Sequence, residues 1–480
     1  MRKLFCIAIA ALLALTANAQ AFCVAHIFSD HAVLQRESLV PVWGWADAGK
    51  TVQVKCSWNG KTVKVKADDN GAWRAFVDTG AAGGPYTVTV KCGKEKIELQ
   101  DIMLGEVWVC SGQSNMEMPL AGFGFQEVEG ATEAIMEAFE TANNIRIINI
   151  KTPKCQAPVQ DVEALWELST GGVAANTSAI AYLFAKRLQK SLHVPVGIIS
   201  NAWGGSRIEP WMTNEAIDQA GISAQERAEI SALVEDTPWP QVAEVIWNGR
   251  MAPIAGYAAR GFIWYQGCSN IGQKCYDLLQ AQMVRMWRDA WDNEGMPFIY
   301  ALLAPYEHGD KDGRWRPQFV ETQLMAETLV SDCWAVCTET LGSLTTIHPA
   351  QKREVADMMA LRALQNVYGI DTGVSMELPR LDTVEYGEDG VVKVRLTQVW
   401  SNLGSISSRN VVGFELAGED REFHLAEAEV FWDGQTIIVH SPEVPHPVAV
   451  RYAWRNWMGA NLQKSNGIPV PPFRSDDWPL

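Results

Sequence analysis

An apolar run over residues 102–109, broken only by Gly105 and Glu106, stops abruptly in Ser111-Gly-Gln-Ser-Asn115. A run of that length bounded by turn residues reads as a strand buried on both faces, and such a strand needs helices covering its sheet. The texture that follows agrees. Residues 194–200, 261–265, 297–304 and 334–338 read as further buried strands, while 179–191, 276–292, 317–329 and 349–368 carry helical spacing. Alternation of this kind from Asp101 to about Gly373 predicts an α/β unit built on a parallel sheet.

The flanks differ. Over residues 24–100, short strand-like segments at 40–45, 52–56, 61–66 and 86–90 are separated by turns such as Asp69-Asn-Gly71, which predicts a small antiparallel sandwich. The final hundred residues return to β character at 391–396, 427–432 and 436–440, with Asp433-Gly434 as a hairpin turn. A chain of 480 residues is too long for one core, so three regions are reasonable.

The first nineteen residues have the form of a secretory signal peptide: Arg2 and Lys3, an apolar core, then Ala17-Asn18-Ala19 before Gln20. No later run reaches the roughly 18 apolar residues a bilayer span needs. The mature chain is therefore expected to be exported, secreted or periplasmic, without membrane insertion. A net charge of −16 excludes the phosphate neutralisation on which nucleic-acid binding rests. Of ten cysteines, Cys6 lies in the signal, and the odd remainder leaves at least one thiol unpaired. Cys268 and Cys275 are close enough in sequence for a disulfide. No cysteine or histidine spacing suggests a metal site.

Ligands of open α/β sheets bind beyond the carboxyl ends of the strands. Four unusual sequences fall there: Ser114 after the first strand, Trp203-Gly-Gly-Ser-Arg207 after the second, Gln266-Gly-Cys-Ser-Asn270 after the third, and Thr345-Thr-Ile-His348 after the last. Acyl transfer needs these residue types. A serine hydroxyl requires a base that titrates near neutrality, and the oxyanion requires donors fixed in advance. His348 supplies the first; the Ser114 and Gly205 amides and the Asn270 side chain are candidates for the second.

The Gly112-Gln-Ser-Asn-Met116 form resembles the first block of the SGNH hydrolases in their carbohydrate acetylesterase branch. Residues 27–35, Trp43-Gly-Trp45, Trp203–Trp211, Trp264-Tyr-Gln-Gly267, Ile347–Lys352, Tyr452-Ala-Trp454 and 472–478 resemble the sialate O-acetylesterase family. The resemblance covers nearly the whole mature chain. It implies a flavodoxin-like SGNH-hydrolase domain over 101–374, a β-sandwich over 20–100 and a β-rich region over 375–480. It also implies removal of O-acetyl groups from sugars, sialic acids first, without metal or cofactor. By this resemblance Ser114 is the nucleophile, His348 the base, and Ser114, Gly205 and Asn270 the oxyanion donors. Gln113, Trp203, Arg207 and Gln266 are candidates for holding the acetylated carbohydrate, Arg207 through a substrate carboxylate.

The pattern breaks at the acid. SGNH hydrolases place an aspartate three residues before the histidine, where this chain has Thr345; its neighbour, often another acid in this family, is Thr346. The glutamate of the family's Gln-Gly-Glu-Ser-Asn block is Cys268 here. Three readings stay open: His348 held by a backbone carbonyl or Thr345, an acid such as Glu339 or Glu354 recruited from elsewhere, or a weakened relative that binds glycans. An acetylxylan-type esterase is the alternative within the enzyme class. A phospholipid-cleaving activity is disfavoured, since no basic amphipathic segment is present.

Overall fold

A computed structural model describes residues 21–235, 238–399, 401–405 and 408–479. The expected signal peptide, residues 1–19, lies outside the described residues. The strand foreseen at 102–109 is the second half of an 18-residue strand, Glu95–Gly112, which joins two sheets. Its first half pairs antiparallel with Gly83–Cys92. Its second half pairs parallel with Val196–Ala202 on one side and Gly261–Tyr265 on the other. The change of texture near residue 100 is thus a change of neighbours along one continuous strand, with no linker between.

Glu106 stands at that changeover and explains why a charge interrupts the apolar run. It is fully buried, with Arg36 Nε at 2.6 Å, Arg260 Nε at 2.8 Å, Gln35 Nε2 at 3.2 Å and Tyr368 Oη at 3.0 Å. Burial opposes its ionisation, but the hydrogen bonds and charge of Arg260, with hydrogen bonds from Arg36 and Gln35, outweigh burial and hold the pKa below the usual value.

The parallel part runs Ile145–Asn149, Val196–Ala202, Glu95–Gly112, Gly261–Tyr265, Phe298–Ala301 and Cys333–Val336, with the two-residue strand Glu167–Leu168 antiparallel at one edge. Helices Ala179–Leu192, Tyr276–Ala290, Trp315–Leu329 and Lys352–Asn366 supply the cover that the apolar strands demand. Many of the tryptophans lie here. Trp211, Trp264 and Trp287 are fully buried and meet edge-on or tilted, with ring centroids 5.4–6.2 Å apart. Truncating such a residue to alanine costs roughly 3–5 kcal/mol, a large share of a domain's stability, so this cluster fixes the sheet beneath the site.

Ahead of it, Cys23–Val24, Leu39–Trp45 and Ala72–Asp78 form one small antiparallel sheet. Thr51–Cys56 pairs with Thr62–Lys66 and Gly83–Cys92, and Thr51–Cys56 alternates exposed and buried residues along its length. After it, a seven-stranded antiparallel sheet runs from Leu381–Tyr386 to Phe473–Arg474 around its own core of Val394, Phe414, Ile437 and Tyr452. Arg316 pins this sheet to the α/β unit by donating to the Ala453 carbonyl at 3.2 Å while paired with Glu339 at 2.7 Å. Among the described residues, no helix is long and apolar enough to cross a membrane.

Candidate active site

Gly112 ends the central strand at φ +146°, and a Cβ there would sit 2.3 Å from the Tyr265 carbonyl oxygen. Only glycine allows the neighbouring strand end this close. Gln113 then donates its N–H to that same oxygen at 2.9 Å, and the chain turns into the short helix Ser114–Glu117. As first residue of the helix, Ser114 has an amide the helix cannot satisfy.

The loop after Val196–Ala202 closes on this turn. Gly204 donates its N–H to Glu117 Oε2 at 2.8 Å. Gly205 has φ +69°, and a Cβ on it would lie 2.5 Å from the Trp239 ring. Its carbonyl accepts from Ser269 Oγ at 3.0 Å and Gln241 Nε2 at 3.2 Å. Among the described residues no acceptor meets the N–H of Ser114 or of Gly205. Both residues line one cleft of about 790 Å³ together with Gln113, Cys268 and His348.

Asn270 departs from the sequence expectation. It is completely buried, and its Nδ2 donates to Glu209 Oε2 at 3.1 Å and to Gln273 Oε1 at 2.5 Å. Its Oδ1 accepts from the Ile208 N–H and from Gln266 Nε2. Both amide hydrogens are committed inside the protein, which leaves none for an oxyanion. Gln266 is likewise engaged, donating to the Ser206 carbonyl and accepting from Tyr276 Oη at 2.7 Å. Arg207 is held by both Glu209 oxygens, the Ser269 carbonyl and Gln273, so its guanidinium braces the loop and is not free for a substrate carboxylate. Trp203 packs under the Arg250 guanidinium, 4.0 Å from the ring centre, and is not part of the cleft wall. Gln113 does line the cleft, its Oε1 fixed by the Gly267 N–H at 2.9 Å.

His348 reaches the cleft from the loop before helix Lys352–Asn366. Its Nδ1 lies 2.7 Å from Gln126 Oε1, and its backbone N–H donates to Thr346 Oγ1 at 3.1 Å. Gln126 Nε2 donates to the same threonine oxygen at 3.1 Å. The ring of Phe123 packs edge-on at 5.4 Å. Burial, and then the Lys352 charge, lower the His348 pKa to about 4. The expected partners are elsewhere. Thr345 Oγ1 contacts Ser343, Glu339 is buried against Arg316, and Glu354 lines a separate cavity near Trp457. Glu339 and Glu354 are drawn away because Arg316 and the helix that carries Glu354 serve the junction with the C-terminal sheet.

Cys268 stands in the cleft wall as a thiol whose pKa burial pushes up to about 12; Cys275 is also a free thiol, so the two are not bridged. Leu233, Val234 and Trp239, the last 57% exposed, give the wall an apolar stretch beside the polar Gln241 and Ser269. Glu117 is the one carboxylate among the described lining residues, and none of them is lysine or arginine. Gln126 and Trp239 carried no signal as site residues: neither belongs to a recognisable spacing, and only the folded chain brings them to the cleft and to His348. Lys352 closes the Ile347–Lys352 motif, but its contact with Asn115 is set by the fold.

A serine in a glycine-enforced turn at the carboxyl end of a parallel sheet, in one cleft with a histidine, fits acyl chemistry. The comparisons with known proteins fix the class as a carboxylic ester hydrolase. Residues 104–364 match the family described as carbohydrate esterase, sialic acid-specific acetylesterase, and the chain belongs to that family. The sialate O-acetylesterase of Pongo abelii is 26% identical over 499 residues, covering 94% of this chain and 92% of that one. The human sialate O-acetylesterase is 25% identical over similar shares, 94% and 92%. The crystal structure of a carbohydrate acetylesterase from Xanthomonas citri is 30% identical and superposes with a TM-score of 0.83, covering 95% of this chain and all of that one.

Proposed function

We propose that this protein is a serine esterase of SGNH type that removes O-acetyl groups from sugars by double displacement. Ser114 Oγ attacks the acetyl carbonyl while His348 Nε2 takes its proton. The oxyanion is met by the amide N–H groups of Ser114 and Gly205. The sugar oxygen leaves with the proton from His348, and water, activated by the same imidazole, then frees acetate from the acetyl-serine.

The observation that carries this reading is the meeting of Ser114, His348 and two amides without acceptors among the described residues in one cleft. It lies where the chain leaves the central strand, Val196–Ala202 pairing on one side and Gly261–Tyr265 on the other. Omitting the edge strand Ile145–Asn149, the parallel order is second-first-third-fourth-fifth, the flavodoxin-like order. The division at 20–100, 101–374 and 375–480, and export through the first nineteen residues, belong to the same proposal.

The relatives' names make O-acetylated sialic acid the first substrate to try. The cleft wall favours a neutral acetylated saccharide such as acetylated xylan, because no described lining residue is lysine or arginine and Glu117 would repel a sugar carboxylate. Trp239 offers an apolar ring on which a neutral sugar can stack. Acetate release from acetylated xylo-oligosaccharide and from O-acetylated sialic acid, by the parent and by Ser114→Ala, tests both points. Release lost in the variant supports the serine mechanism. Sugar affinity without release by the parent would instead identify a glycan-binding relative.

A further inference from the structure

We propose that Gln126, an uncharged residue, takes the place of the missing acid and is the positioning residue for His348, a role that rests on the esterase reading above. Its Oε1 stands 2.7 Å from Nδ1, so the ring carries its proton on Nδ1 and leaves the Nε2 lone pair to the serine. The amide is itself held: Nε2 donates to Thr346 Oγ1, which also accepts the His348 backbone N–H. Turned over, the amide would donate to Nδ1 and leave the ring proton on Nε2, the tautomer that cannot take a proton from serine. In a serine protease that tautomer error costs about 10⁴ in kcat. Thr346 thus serves Gln126, and Gln126 serves His348.

An amide carbonyl fixes the tautomer as an aspartate does but adds no negative charge. The imidazolium formed during reaction is then less stabilised, and the free base is correspondingly harder to protonate. Lys352, from the helix that follows, is the charge that acts on the ring, and it disfavours the imidazolium further; Cys268 and Glu117 line the same cleft, and Glu127 and Glu129 flank Gln126 but are exposed. Burial and Lys352 together place the His348 pKa near 4.

The test is the pH profile of kcat/KM for acetate release from 4-nitrophenyl acetate, for the parent, Gln126→Glu, Gln126→Leu and Thr346→Val. The acid limb of kcat/KM reports the free-enzyme histidine. A carboxylate beside Nδ1 favours the imidazolium, so Gln126→Glu is expected to move that limb upward by about 1–3 pH units while keeping the ring oriented. Gln126→Leu is expected to lower kcat about 100-fold with little change in KM, in line with the usual share of general base catalysis. Thr346→Val, which frees the amide to turn, should lower kcat in the same sense but less. A residue that only filled space would move KM or the melting temperature and leave the acid limb in place. An unmoved limb in Gln126→Glu, together with kcat within twofold of the parent in Gln126→Leu, overturns the proposal. Turnover that survives Ser114→Ala overturns the esterase reading itself and is a separate result.

Discussion

Lys352 Nζ donates to Asn115 Oδ1 across 2.5 Å, and Asn115 Nδ2 donates onward to the Ile347 carbonyl at 3.0 Å. The residue after Ser114 is thereby tied to the residue before His348. The turn that carries Ser114 and the loop that carries His348, from opposite ends of the α/β unit, share one buried anchor, and a short shift of either would be felt by the other. The anchor requires a buried charge: Lys352 is enclosed by protein, and burial, offset slightly by the Cys268 thiol, lowers its pKa to about 7.

That depressed pKa sets a pH window. Between pH 7 and the unfolded value near 10.4, the unfolded chain binds more protons than the folded one, so stability rises with pH through this range. Below pH 7 the cost of the buried ammonium is fully present. Lys352→Met is therefore expected to gain stability relative to the parent at pH 6 and to lose most of that advantage by pH 10. The change should be on the order of 4 kcal/mol, since each pH unit between the folded and unfolded pKa values is worth about 1.4 kcal/mol. Urea midpoints at the two pH values check this; a difference independent of pH would show that Lys352 stays charged throughout.

Asn270 gives a contrast between a bracing residue and an oxyanion donor. Both its amide hydrogens go to Glu209 and Gln273. Asn270→Ala is expected to lower the melting temperature, because it strips a buried carboxylate of a donor, a loss of roughly 1–3 kcal/mol. The folded fraction should keep kcat within a few-fold of the parent. A true oxyanion donor would cost about 10²–10³ in kcat instead, so kcat measured on protein shown folded by circular dichroism separates the two roles.

Gly205 and Trp239 should divide kcat from KM. A methyl group at 205 meets the Trp239 ring at 2.5 Å in a left-handed backbone conformation, so Gly205→Ala must move the loop that presents the amide. We expect kcat to fall about 100-fold, the usual loss for one oxyanion donor. Trp239→Ala relieves that contact and removes the ring from the cleft wall. It should raise KM for an acetylated oligosaccharide while leaving kcat for 4-nitrophenyl acetate nearly unchanged, because that small ester does not reach a sugar platform.

The sequence made the parallel strands legible because burial on both faces leaves unbroken apolar runs; Gly261–Tyr265 falls on its expected bounds. Ile145–Asn149 escaped notice since Arg146, paired with Asp101 at 2.7 Å, breaks its apolar pattern. Ser114, Gly205 and His348 stood out in the sequence as motifs at strand ends, and the fold brings all three to one cleft. Asn270 was readable as a residue but not as a role, for a motif does not say which way a carboxamide points. Gln126 left no trace: it lies 222 residues from His348 along the chain, in a loop whose only local signals are glycines. Local pattern reports how an element is covered, while the partner of a side chain is set by tertiary approach.

Glu106 offers the last test, on the strand that joins the two sheets. Its folded pKa lies below the unfolded value near 4.3, so its contribution to stability is fully present above that value. The contribution is lost as pH falls through the folded pKa. Glu106→Gln removes the charge that Arg36 and Arg260 share but keeps the shape. Breaking a buried pair costs roughly 3–5 kcal/mol; because both arginines keep some contact with water, we expect a loss near 3 kcal/mol at pH 7. The gap between parent and variant should narrow as the pH falls below the unfolded value near 4.3, where the unfolded parent's carboxyl takes up a proton that the folded one still resists. Denaturant midpoints at pH 7 and pH 3.5 measure it. An equal loss at both would mean that Glu106 stabilises the strand through hydrogen-bond geometry alone, and that its charge contributes nothing to the junction.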